Sequence, residues 1–324
     1  MKPTFNLVFT TFLAALNNHL TLAAPGRKEE SRNAIAMTVI SAGARHTCGR
    51  VKYDHCHGKN GPCATRGAIE CFGSNSFGQA NPVGGRFATV SAGRDATCGI
   101  LADSSVKCWG NEESMIVTNV PQPFGFNKIS VGGGHACALW KNGKAVCWGN
   151  NEYGQCSAPS GPFVNIASGY SHTCATQENG LVACWGHDGD KESSGVPDQV
   201  RFTVVTAGDG FSCGITIQRR VLCWGRSREG QMSMPGDAFF SGVSAGRRHV
   251  CAVRDASRGV DAVVCWGSNH DGQSKPPYKG EFVQVSSGAA HSCALSSNGV
   301  VRCWGSNRDG QSRGRFIAEG EGVH

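Results

Sequence analysis

Sulfur and imidazole are where the chemistry of this chain would lie. Its 324 residues include 17 cysteines and 11 histidines. Five histidines stand two places ahead of a cysteine: His46 before Cys48, His135 before Cys137, His172 before Cys174, His249 before Cys251 and His291 before Cys293. These cysteines, together with Cys98 and Cys213, are each followed by a second one. The gap is ten residues for 98/108, 137/147, 174/184, 213/223 and 293/303, fourteen for 251/265 and twenty-three for 48/71. Thiols and imidazoles so placed suit three chemistries: zinc ligation, a pH-responsive set of imidazoles, or disulfides. A ten-residue gap is not a zinc-finger spacing, and the units carrying Cys98 and Cys213 lack the histidine, so no metal or other cofactor is expected.

The turn between the paired cysteines favours disulfides. Asn142-Gly143, Asn179-Gly180 and Asn298-Gly299 sit midway between their cysteines. Asn-Gly there suits a three-residue hairpin loop with glycine in the left-handed region. The two cysteines then face each other in a non-hydrogen-bonded pair, close enough to bond. The expected bridges are Cys48–Cys71, Cys98–Cys108, Cys137–Cys147, Cys174–Cys184, Cys213–Cys223, Cys251–Cys265 and Cys293–Cys303. Each closes a short loop and contributes roughly 2–3 kcal/mol. Cys56 and Cys63 form an eighth expected pair, and Cys156 is left over as a free thiol or an intermolecular link. No nucleophile elbow, zincin motif or unexplained Cys-His arrangement is present, so no catalytic residue is expected and the chain does not read as an enzyme, a hydrolase built on a pair of its scattered carboxylates being the less favoured alternative.

The elements that would position these residues recur. The cleanest unit runs from Phe282 to Gln311, FVQVSSGAAHSCALSSNGVVRCWGSNRDGQ, with three short apolar runs each closed by a turn signal. Seven such units follow one another about every 38 residues, a period that marks a solenoid, propeller or array. Three strands make a small antiparallel sheet that cannot bury enough surface alone and must stack on its neighbours. An open solenoid would need capping units, whereas the first and last repeats here are ordinary. The expected fold is all-β, a seven-bladed β-propeller with about three antiparallel strands per blade.

Within the chain the repeats can be compared with one another. The glycine after tryptophan and the glycine of Ser-Ala-Gly occur in all seven units, marking unusual backbone angles or close approach. The residue after the third-strand cysteine is Trp six times and Phe72 once, as expected of packing between blades. The recurring histidine reads as a structural hydrogen bond, with a pH-sensitive ring as the alternative. Repeats two and four lose the closing Gly-Gln. The first would expose Met115, Ile116 and Val117. The second clusters Asp188, Asp190 and Glu192, a solvated turn rather than a complete calcium loop. Repeats one and six lengthen the hairpin, over Val51 to Gly67 and Arg254 to Asp261. Ring closure would set both on one face, either side of blade seven. Loops on a rigid scaffold carry function, so the expected partner contacts are Tyr53, His55, His57, Lys59, Arg254, Asp255, Arg258 and Asp261.

The remaining segments suggest export. Residues 1–23, which open with MKPTFNLVFTTFLAAL and have a cut site near Ala23, read as a signal peptide. Residues 24–36 read as a flexible leader, 37–317 as the propeller and 318–324 as a tail. No stretch is long and apolar enough to be a transmembrane segment. Export agrees with paired cysteines, which persist in oxidising compartments. A net charge of +7 is modest and its bases are scattered, so no nucleic-acid partner is expected.

The unit V-S-A-G-x-x-H-T-C…C-W-G-x-N-x-x-G-Q resembles the repeat of the regulator-of-chromosome-condensation propellers, from about Met37 to Gln311. Its disulfide-spaced C-W-G form resembles the extracellular propeller of plant crinkly-type receptor-like kinases. Its short period resembles β-lactamase-inhibitor protein II, with three-stranded blades. The resemblance implies the propeller fold, and beside it a secreted module binding a protein or peptide in cell-surface signalling. By the bacterial likeness it implies an inhibitor of an extracellular enzyme. The namesake's role as exchange factor or chromatin binder conflicts with the signal peptide and paired cysteines. Crinkly-type receptors continue into a membrane helix and kinase. This chain has no Gly-rich phosphate loop, H-R-D or D-F-G pattern, and is expected to be a stand-alone propeller or a truncated receptor ectodomain.

Overall fold

A computed structural model describes residues 36–52, 55–56, 63–64, 66–122, 124–236, 238–255, 263–277 and 280–313, with backbone alone at 55–56 and 63–64. Seven three-stranded antiparallel sheets follow one another along the chain. Their strands are Met37–Ala42, His46–Val51 and Ile69–Gly73 in blade one, and Phe87–Ala92, Ala96–Leu101 and Val106–Gly110 in blade two. Blade three has Phe126–Val131, His135–Trp140 and Ala145–Gly149; blade four has Phe163–Ser168, His172–Gln177 and Val182–Gly186. Blade five has Phe202–Ala207, Phe211–Thr216 and Val221–Gly225; blade six has Phe240–Ala245, His249–Arg254 and Val263–Gly267. Blade seven has Phe282–Ser287, His291–Ser296 and Val301–Gly305. The first strands pack on one another around the centre, the middle strand of each blade lies under the first strand of the next, and the third strands lie outermost.

The paired cysteines stand opposite one another in every blade, as in Cys137↔Cys147 and Cys251↔Cys265. Seven of the eight expected bridges, one in each blade, are formed among the described residues, with Cα atoms 4.0–4.1 Å apart. The short hairpins have the expected geometry: Gly143, Gly180 and Gly299 take φ of 81°, 85° and 92°. Ser104 and Arg219 occupy the same left-handed position in blades two and five. Each bridge lies in a layer between blades. The Cys137–Cys147 pair, Leu139 and Ala145 of blade three face Phe163, Ile166, Ala175 and Trp185 of blade four. The aromatic after the outer cysteine therefore fills the seam, with Phe163 and Trp185 ring centroids 6.0 Å apart.

Side chains lace the inner strands into a circle. In six of the seven blades a hydroxyl near the end of the first strand accepts the main-chain N–H of the next blade: Ser41 from Ala92, Ser91 from Val131, Ser130 from Ser168, Thr206 from Ala245 and Ser244 from Ser287, at 2.8–3.0 Å. Blade four carries Ala167 at that place. The circle closes between blades seven and one, where Ser286 accepts from Ala42 N at 2.8 Å. Gln284 adds a two-sided clamp there, accepting from Ile40 N at 3.1 Å and donating to Ile40 O at 2.9 Å. On the sequence alone Arg313 to Ile317 could also help close the ring; residues 314–324 lie outside the described ones. Among the described residues no helix is long and apolar enough to cross a membrane.

Candidate functional site

The imidazoles are committed to the seams. Each Nε2 meets the hydroxyl that follows the histidine position in the next blade: His46–Thr97, His135–Thr173, His172–Ser212, His249–Ser292 and His291–Thr47, at 2.7–2.8 Å. That hydroxyl donates its own proton to a main-chain carbonyl, as Thr97 does to Gln79 O at 2.9 Å and Thr173 to Gln155 O at 3.0 Å. A carbonyl only accepts, so the hydroxyl must accept from Nε2–H, and the imidazole is the neutral Nε2–H tautomer. Its bare Nδ1 is buried with no partner among the described residues in all five cases. Burial drives the pKa from 6.5 down to about 4 in His46, His135 and His249. It reaches about 3 in His172 and His291, where neighbouring imidazoles add to the burial. The glycine of Ser-Ala-Gly makes room for these rings. A Cβ on Gly43 would stand 2.3 Å from Gly93 O and 2.7 Å from His46 Cε1. The glycine after tryptophan takes φ of 92–127° in every blade.

The irregular connectors keep the frame with different residues. In most blades a glutamine six places after the C-W-G glycine accepts the N–H two residues before it, as Gln155 does from Tyr153 at 2.9 Å. In three of them its carbonyl takes the next blade's tryptophan Nε1–H: Trp185 to Gln155 O at 2.9 Å, Trp266 to Gln231 O at 2.7 Å and Trp304 to Gln273 O at 2.8 Å. In blade two that place belongs to Ile116, on a short helix Met115–Thr118, and Trp148 donates to its carbonyl at 2.9 Å. Ile116 is thus buried, against the expectation of exposure, while Met115 is exposed and Val117 half-buried. In blade four Glu192 fills the place, fully buried, accepting Asp190 N at 2.8 Å. Its other oxygen meets His187 Nδ1 at 2.5 Å. Asp188 accepts from Ser193 N and Ser194 N, and Asp190 holds Arg226 at 2.6 Å. Among the described residues no group of three His, Cys, Asp or Glu is placed to hold a metal ion.

Cys156 follows one of these glutamines and is unpaired. Its Sγ donates to Asn150 O at 3.3 Å, and burial raises its pKa to about 11. Ser193 and Ser274 make the same bond, to His187 O and Ser268 O, both at 2.8 Å. The thiol therefore does a serine's work and is held protonated.

Of the expected partner contacts, Tyr53, His57, Lys59, Arg258 and Asp261 lie outside the described residues, as does the Cys56–Cys63 bridge. The backbone alone places Cys56 opposite Cys63, beside His55 opposite Ala64. Arg254 is exposed at the end of its strand, and Asp255 is held in an ion pair by Arg219 of the neighbouring blade.

The opposite face carries a feature that no motif marks. Between the recurring glycine and the histidine position each blade has a two-residue turn: Ala44-Arg45, Arg94-Asp95, Gly133-Gly134, Tyr170-Ser171, Asp209-Gly210, Arg247-Arg248 and Ala289-Ala290. These turns form the rim of a funnel of ≈ 460 Å³ at the ring's centre, floored by the small residues of the inner strands. Arg94 Nη1 reaches from blade two across the glycines of blade three to Tyr170 Oη, 3.1 Å away. Arg247 is 3.2 Å from Asp209. Arg45 is exposed and has no charged partner among the described residues. Phe77 (50%) and Tyr170 (42%) give the rim exposed aromatic surface. The signal for it in the chain is variability: between a glycine constant in all seven blades and a histidine kept in five, two positions form a pair that differs in every blade.

Comparison with known proteins agrees with this geometry. The profile of the Regulator of chromosome condensation (RCC1) repeat matches residues 126–155, 163–191, 202–231, 240–273 and 282–311, which are blades three to seven. The CRINKLY WD40 ectodomain of the Arabidopsis thaliana receptor kinase ACR4 superposes with a TM-score of 0.65 at 23% identity, over 84% of this chain and 96% of that one. The entire ectodomain of the Physcomitrella patens receptor kinase CR4 gives 0.68 at 25% identity, over 84% and 74%. Prp20p from Saccharomyces cerevisiae gives 0.51 at 16% identity, over 83% and 72%. A 56-residue stretch is 34% identical to the serine/threonine-protein kinase-like protein CCR2 of Arabidopsis thaliana. It spans 17% of this chain and 7% of that relative.

Proposed function

We propose that this propeller of RCC1-type repeats is a secreted recognition module that binds a protein or peptide at the rim of its funnel and catalyses no reaction. One observation carries the reading. Every recurring imidazole, and the bridged cysteines of all seven blades, are spent on the frame, while the residues that vary from blade to blade gather at one mouth. A rigid scaffold with a variable rim is suited to recognition, because little order must be gained on binding. Arg45, Arg94 and Arg247 beside Phe77 and Tyr170 have the composition of a binding hot spot. Seven bridges suit an oxidising compartment, and the likeness to receptor ectodomains supports the same setting. The rim mixes arginine with Asp95 and Asp209, which suits a polar peptide rather than a polyphosphate backbone.

The test is capture of extracellular partners by the purified propeller and by an R45E/F77S/Y170A variant. All three positions are exposed, so the variant should melt with the wild type. A partner retained by the wild type and lost, with affinity down at least tenfold (about 1.4 kcal/mol), supports the reading. Equal retention moves the contact to the face bearing the long hairpins of blades one and six.

A further inference from the structure

The connector of blade five departs from the others at two adjacent positions. The residue after the C-W-G glycine normally faces the amide of the connector glutamine. Gln155 Nε2 donates to Asn150 Oδ1 at 2.6 Å, and Gln273 Nε2 to Ser268 Oγ at 3.4 Å. Blade four inverts the pair, with Glu192 accepting from His187. In blade five the residue is Arg226, which has no acceptor atom. Gln231 still accepts Glu229 N at 2.9 Å, but its Nε2 is buried without a partner among the described residues. The second departure is Ser227. At that position Asn75, Asn151, Asn269 and Asn307 accept the N–H five residues on, from Ala80, Cys156, Ser274 and Ser312. Serine is too short to do so.

These two changes open a corner of ≈ 230 Å³ between blades five and six, lined by Arg226, Arg228, Glu229, Gln231 and Arg248. We propose that this corner is a binding site for an oxyanion group: sulfate, phosphate or carboxylate. Guanidinium forks match such oxygens two at a time, and the orphan amide supplies one more fixed donor. Arg226 is anchored by Asp190 at 2.6 Å and Asp209 at 3.6 Å, so its position is set and its charge matched. The unspent charge comes from Arg228, which is exposed and has no ionic partner among the described residues. Glu229 opposes an anion. It stands 3.7 Å from Arg248 Nη1, which offsets it, and 3.6 Å from His270 Nε2. Arg247, next to Arg248 in the chain, lines the funnel. The site itself does not depend on the rim reading.

The experiment follows the side-chain amide resonances of Gln231 in the full chain during titration with sodium sulfate, phosphate or acetate. Sodium chloride holds the ionic strength constant. A saturable shift with at least one anion is expected, and the order among the three separates tetrahedral anions from carboxylates. Arg228→Ala should weaken that binding at least tenfold. Arg226→Ser gives Gln231 the serine partner that blade six has in Ser268, and should abolish the saturable shift in a folded protein. Shifts that stay linear for all three anions, or an unchanged dissociation constant in Arg228→Ala, would overturn the proposal. Should Arg226→Ser not fold, Arg228→Ala decides alone.

Discussion

Five seams of the ring join an imidazole to a hydroxyl, and two do not. Where blade two has Ala96 in place of histidine, blade three has Ala136 in place of the hydroxyl. Where blade five has Phe211, blade six has Val250. Both partners are missing together. The volume is made up locally: a Cβ on Gly93 would meet Val131 Cγ1 at 2.4 Å, and one on Gly208 would meet Phe211 Cε1 at 2.4 Å, where other blades present the imidazole. The lesson is energetic. A buried donor without its acceptor costs about 1–3 kcal/mol, whereas removing both and filling the space is close to neutral. The histidine and the hydroxyl are therefore one unit shared by two blades, and each seam either has it whole or lacks it.

Acid should break this comparison most severely. The five imidazoles are held neutral with pKa values of about 3–4 against 6.5 when exposed. As pH falls below 6.5 the unfolded chain takes up protons that the folded chain refuses. Stability is unaffected by these groups above pH 6.5, falls between 6.5 and about 3, and levels off below the folded values. Each imidazole contributes a slope of up to about 1.4 kcal/mol per pH unit. Denaturant unfolding at a series of pH values measures it. A flat profile from pH 7 to 5 would show that the imidazoles charge freely in the folded ring.

A double-mutant cycle at one seam sharpens it. Thr173→Val strands the His135 Nε2–H in a dry seam and should cost about 2–3 kcal/mol. His135→Phe alone leaves the Thr173 hydroxyl still donating to Gln155 O, and should cost less. The pair H135F/T173V copies the seam between blades five and six. It should recover at least about 1 kcal/mol relative to the sum of the single changes. The same double variant should lose one imidazole's share of the acid slope. Additive costs would mean that the paired absences in the natural seams carry no energetic coupling.

Much of this frame is legible in the chain, and the part that is not has a common cause. The hairpins, their bridges and the interblade aromatic follow from short spacings, ten residues in five blades around Asn142-Gly143 and its counterparts, because local register fixes them. The partner of His135 is Thr173, 38 residues away, and nothing local links the two. Only writing the repeats in register, each offset by one unit, exposes the joint loss at Ala96/Ala136 and Phe211/Val250. Counting six places from the C-W-G glycine likewise puts Ile116 and Glu192 where Gln155 stands in blade three. Neither residue type announces the place, since Ile116 is not a glutamine and a carboxylate such as Glu192 belongs at the surface, so a changed type hides a kept position. The rim is illegible for the opposite reason. It has no motif, and variable positions such as Arg45 and Tyr170 become a site only once the ring brings them together.

The smallest effect concerns the one thiol outside the bridges among the described residues, and it separates positions that keep a role from positions that change it. Cys156 stands where Ser193 and Ser274 donate to the carbonyl six residues back, and its Sγ makes the same bond to Asn150 O. A hydroxyl is the stronger donor but a smaller, less apolar group, so the two differences oppose each other. Cys156→Ser should therefore change stability by no more than about 0.5 kcal/mol, the range of neutral substitutions. With its pKa raised to about 11, the wild-type thiol at pH 7 is almost wholly protonated. It should react with a thiolate-selective alkylating reagent far more slowly than a free cysteine, until denaturant exposes it. Fast labelling of the folded protein, or recovery of a disulfide-linked dimer that Cys156→Ser abolishes, would show that this cysteine is reactive and breaks with the serines of blades four and six.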